Sequence, residues 1–179
     1  AFFAGTPAYG TTMLEIIAFC CGALVMVLEM VGARVLAPHV GTSAVVWTSL
    51  IGVVLACLAV GAWLGGRLAD RHLSRRGLAF ILTGASLGSA LAAGTHRLVG
   101  EALSVAITDI HLAAVACALG ILALPALCCG MISPYIIRLR IRDVATSGAT
   151  VGRLYALSTA GSIVGTFLGG FVLISFFAS

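Results

Sequence analysis

Polar residues in this chain are few and clustered, and the clusters divide it into five long apolar segments. Residues 1–12 form a short lead-in containing Gly and Pro. The first apolar segment, 13–36, is interrupted by Glu29 and closed by Arg34 and Pro38. At helical rise its length is about 36 Å, enough to cross a bilayer with some tilt. A short turn with Pro38, His39 and Gly41 leads to Ser43, a candidate cap for the second segment, 43–70. Arg67, Asp70, Arg71, Arg75 and Arg76 end that segment abruptly, and Leu78 begins the next apolar run. Charges cannot follow such a run into hydrocarbon, so this stretch reads as a membrane exit and a tight basic loop.

The third segment spans 77–95 and is rich in small residues; His96 to His111 is more polar and predicts a short interfacial helix at about 98–107. The fourth, 110–137, contains Pro125, Gly130 and Pro134, which predict either a hinge or a fixed kink. Arg138, Arg140, Arg142 and Asp143 form the following loop, and the fifth segment covers 152–177. The expectation is a single all-α domain, a polytopic membrane bundle of five transmembrane helices.

Composition agrees with this pattern. Only 9% of the 179 residues are charged and 61% are hydrophobic, with a mean hydropathy of +1.17. A soluble domain carries about 25% charged residues, so lipid is the expected solvent for most of the exterior. All ten basic residues are arginine, and alternating spans put eight of them on one side: Arg67, Arg71, Arg75, Arg76, Arg138, Arg140, Arg142 and Arg153. Arg34 and Arg97 fall on the other. Arginine-rich short loops stay in the cytoplasm, which predicts a cytoplasmic N-terminus. The net charge of +4 then reflects topology, and with no basic-aromatic patch a nucleic-acid partner is not expected.

Small residues at intervals of four allow helix backbones to approach closely where lipid removes the hydrophobic drive. Gly61 and Gly65, Gly84 and Gly88, and the ridge Gly161, Gly165 and Gly169 have this spacing, and the last should face a helix. The six cysteines, at 20, 21, 57, 117, 128 and 129, lie in apolar segments as packing residues, without metal-knuckle spacing. Trp47, Trp63, Tyr135 and Tyr155 fall near span ends and read as interfacial aromatics.

The candidate chemistry is sparse. Glu29 is the acid placed deep in a span, either as a proton or cation site or as a packing residue, protonated or paired with Arg34 or a neighbouring helix. Asp70 with Arg67 and Arg71 reads as a clamp between helix ends. His39, His96 and His111 gather at one face, where plain interfacial residues outweigh a metal site. No catalytic constellation and no cofactor motif stands out, so an enzyme is not expected.

Two resemblances emerge from these residues. GRLADRHLSRR (66–76) resembles the loop motif between the second and third helices of major facilitator transporters, with Gly66, Asp70, Arg71 and the pair Arg75 and Arg76 at the motif positions and Arg67 beside them in the clamp. EMVGARVLAPHVGTS (29–43), VWTSLIGVVLACLAVGAWLGGRLADR (46–71), ALCCGMISPYIIRL (126–139) and GRLYALSTAGSIVGTFLGGFVLI (152–174), in this order, resemble the membrane region of bacterial fused major-facilitator/spermidine-synthase-like proteins. The resemblance implies part of a major-facilitator half in the bacterial inner membrane. It does not extend to a synthase: the glycine loop and carboxylate-rich polyamine site of that activity are absent from the sequence. The resulting expectation is a non-catalytic accessory or anchor subunit in the lipid bilayer, completed by other membrane subunits or a missing C-terminal part. The alternative is a transporter-like module for a proton or a cationic small molecule such as a polyamine, centred on Glu29.

Overall fold

Five helices long and apolar enough to cross a membrane make up the bundle, in a computed structural model that describes residues 8–141 and 147–173. They are α1 (Ala8–Val40), α2 (Ala44–Arg71), α3 (Arg75–Ala106), α4 (Ile110–Arg140) and α5 (Ser147–Phe167), the last continuing as a π-helical stretch, Leu168–Leu173. Arg142 and Asp143 of the expected loop and residues 174–177 of the expected fifth span lie outside the described residues.

The helices extend beyond the apolar segments, because their polar ends still satisfy the backbone. α1 runs through Pro38 to Val40, and Gly41, at φ 81°, makes the left-handed turn into α2. Ser43 occupies the N-cap position of α2, yet its side chain makes no capping bond; only its carbonyl accepts, from Val46 and Trp47. Effective caps stand elsewhere. Ser74 Oγ accepts from the Gly77 N–H at 2.9 Å, which draws Arg75 and Arg76 into the first turn of α3. Asp109 accepts from the N–H groups of His111 and Leu112 and starts α4. The separate interfacial helix expected at 98–107 is not formed: α3 continues unbroken to Ala106, since nothing between Thr95 and Glu101 interrupts helical hydrogen bonding. α4 is likewise continuous through Pro125 and Pro134, although each proline removes one backbone donor.

α4 is the central helix, with α2, α3 and α1 against it and α5 packed on α1. Glycines set the approach distances. A Cβ at Gly61 or Gly65 would overlap the Leu127 or Met131 backbone of α4, and one at Gly130 would overlap Leu58 of α2. Gly84 and Gly88 lie against Cys128, Leu124 and Pro125 of the same central helix. On the other side, Gly161 and Gly165 meet the Phe19 and Ala23 backbone of α1, while Gly169 has looser contacts with Met30 and Val27. Two apolar clusters fill the interior. One joins Leu36, Leu50, Val54 and Cys117, and the other joins Cys21, Ile81, Ile132 and Tyr135.

Much of the outside is apolar too. Phe80, Leu98, Val105 and Phe171 are each more than 70% exposed. A surface of this kind is unstable in water and matched to acyl chains. The chain is therefore a multi-pass membrane helical bundle.

Candidate functional site at the arginine-rich end

The α2–α3 turn is held from beneath by a tyrosine. Tyr135 of α4, placed by its sequence position among interfacial aromatics, is instead fully buried. Its hydroxyl accepts from the Ser74 N–H at 3.0 Å and lies 2.8 Å from the His72 carbonyl, to which it can donate. The turn thus gains a side-chain substitute for the backbone partners it lacks. Gly77 leaves room for this phenol, since a Cβ there would overlap the hydroxyl. Trp47, Trp63 and Tyr155 remain exposed.

In the loop, Asp70 ties two helix ends through an arginine other than the two expected. Asp70 pairs with Arg138 of α4 at 3.2 Å, not with Arg67 or Arg71. Arg67 stacks 3.9 Å from the ring centroid of Trp63, one turn back on α2, because residues four apart share a helix face. Arg71, Arg75 and Arg76 are exposed and form no ion pair among the described residues. Gly66 faces open space.

A second acidic centre was missed by sequence reasoning. Glu15 of α1, only 15% exposed, bridges Arg140 of α4 at 3.4 Å and Arg153 of α5 at 3.0 Å. One carboxylate therefore ties three helices. A signal for it was present: alternating spans place the start of α1, the end of α4 and the start of α5 on one side, so the acid and both arginines had to share a level. A cavity of about 190 Å³ opens beside this triad, lined by Glu15, Arg140, Ala149, Thr150, Arg153 and Leu154.

Glu29 stands apart. It is partly exposed and forms no hydrogen bond or ion pair among the described residues, so the pairing with Arg34 is not made. A cavity of about 240 Å³, lined by Met30, Ala33, Arg34 and Trp47 among others, adjoins its level on α1. The histidines do not converge. The His39 ring packs on Gly100, the His96 ring bonds the Ala93 carbonyl at 2.9 Å, and His111 lines an open groove beside α2. No metal-holding group forms among the described residues. All six cysteines are free thiols, and Cys21 Sγ lies 3.5 Å from the Cys129 carbonyl across the α1–α4 contact.

No family model, curated protein or solved structure matches this chain. The functional reading therefore rests on the distribution of polar groups: ties between helices at the arginine-rich end, and a lone carboxylate within a span.

Proposed function

We propose that this chain is a non-catalytic membrane accessory or anchor subunit, built on a domain like the membrane region of fused major-facilitator/spermidine-synthase-like proteins. In this reading it sits in a bacterial inner membrane with the arginine-rich end in the cytoplasm, as the positive-inside rule requires. The observation that carries the proposal is where polar groups lie. Apart from the Tyr135 phenol beneath the α2–α3 turn, no polar or charged side chain is fully buried among the described residues, and the ion pairs cluster at one end. A carrier concentrates polar groups around a path near the midplane. A further support is the α2 face carrying Ala44, Thr48, Gly52 and Ala56, which opens on a groove of about 710 Å³ beside α4. A Cβ at Gly52 would touch nothing, so this face has space for close helix approach.

The experiment is mass measurement of the intact particle after gentle detergent extraction of the natural gene product. A mass above one copy plus lipid and detergent is expected. A monodisperse monomer carrying only lipid overturns the accessory reading. One observation favours the alternative, a proton- or cation-coupled module: the Glu29 carboxylate has no protein partner among the described residues. Under that reading, proton or polyamine flux into vesicles containing the purified protein is lost in Glu29→Gln.

A further inference from the structure

The triad at the arginine-rich end has more donors than its own carboxylate can use. Among the described residues two guanidinium groups face one carboxylate, which leaves an excess of one positive charge in the triad. The Arg140 contact to Glu15 is long, at 3.4 Å, and among the described residues its Nη1 is sealed from solvent without a hydrogen-bond partner. A desolvated, charged donor left unpaired is expensive, and such groups mark an absent water or ion more often than a stable native state. A guanidinium also presents its N–H groups as a planar fork that suits carboxylate and phosphate oxygens.

The surroundings point to the same class of ligand. The adjacent cavity of about 190 Å³ is an order of magnitude above the space a single water needs, so a tetrahedral oxyanion fits. Ala149 and Thr150, in the first turn of α5, form one wall, where the positive end of the helix dipole adds to the arginine charge. Glu15 is seven residues from the start of α1, about 10 Å along the axis. The cavity therefore lies near the rim of the apolar band, at the depth of lipid phosphates.

We propose that the cavity between α1, α4 and α5 is a phosphate-binding site, with Arg140 and Arg153 as its ligands and Glu15 as the residue that positions both. The phosphate belongs either to an anionic phospholipid headgroup or to a soluble phosphate compound. Glu15 limits the affinity by neutralising one of the two charges. This gives the site a property that a purely structural triad lacks: removing the carboxylate weakens the fold and strengthens anion binding.

The test uses the full chain in phosphatidylcholine nanodiscs, with or without phosphatidylglycerol, and with inorganic phosphate or matched chloride added to the neutral discs. For the parent, a phosphate-bearing anion raises the melting temperature by about 2–4 °C. A rise with phosphatidylglycerol alone assigns the site to lipid; a rise with inorganic phosphate as well assigns it to soluble phosphates. Arg153→Gln, at an arginine 65% exposed, abolishes the rise, as does Arg140→Gln. Glu15→Gln lowers the starting melting temperature but enlarges the rise. Arg76→Gln, at an exposed arginine of the same end, leaves it unchanged. Should Arg140→Gln fail to fold, Arg153→Gln and Glu15→Gln still decide the matter. No rise with either anion, or the same rise in Arg153→Gln as in the parent, overturns the proposal.

Discussion

At the arginine-rich end, Tyr135, Asp70 and Glu15 each reach a residue of a different helix or turn. At the opposite end the polar bonds are local. Asp109 caps its own helix, His96 bonds a carbonyl three residues back, and Gly41 closes its turn onto Ala37. Among the described residues no hydrogen bond or ion pair joins two helices there; His39 meets α3 by packing on Gly100. The difference teaches how such a bundle distributes its rigidity. Separating helices at the tied end leaves charges and a buried hydroxyl without partners. Separating them at the other end costs only packing, which acyl chains partly replace.

The largest effect that can break this comparison comes from Glu15. Its replacement by Gln removes the negative charge and turns one of the two acceptor oxygens into a donor facing an arginine, one of the two arginines being three-quarters buried, and should destabilise the bundle by about 2–4 kcal/mol. Thermal or SDS-induced unfolding in detergent measures this, and an unchanged midpoint would show that the triad does not hold the end together. Tyr135→Phe follows, at about 1–2 kcal/mol, since the Ser74 N–H and the His72 carbonyl lose their shared partner. Hydrogen exchange at Ser74 should accelerate in the same variant; protection equal to the parent's would mean that the turn supports itself.

The opposite end supplies a smaller, local effect. The Leu112 N–H, and after it the His111 N–H and ring, hold the Asp109 carboxyl below its ordinary value. A depressed carboxyl contributes stability above its unfolded value near 3.9 and loses it as pH falls through the lower folded one. Asp109→Ala should therefore weaken the start of α4 at neutral pH but converge with the parent at strongly acid pH. Equal sensitivity of both proteins to acid would contradict this. The smallest effect belongs to Asp70→Asn. Both members of its pair with Arg138 are more than half exposed, and about 0–1 kcal/mol is expected, fading with added salt. A larger, salt-insensitive loss would promote this pair from surface contact to genuine clamp.

Hydropathy and the charge clusters determined the five helices long and apolar enough to cross a membrane, though not where each one ends, because lipid forces long apolar runs to hydrogen-bond internally as helices. The same pattern placed most arginines at one end. It could not give the partners. Asp70 was matched to its sequence neighbours, yet the acceptor of Arg138 is set by which face of α4 meets α2. Tyr135 resembled an interfacial aromatic, and only the packing of α4 beneath the α2–α3 turn makes it a buried hydrogen-bonding group. Glu15, overshadowed in sequence by the more deeply placed Glu29, became the centre of a triad because α1, α4 and α5 converge at its level. Helix formation is local, with bonds between residues four apart, and so it is written along the chain. The rotation and order of helices within a bundle depend on contacts between residues from tens to more than a hundred positions apart, and an apolar pattern uniform around most of each helix leaves that choice to tertiary packing.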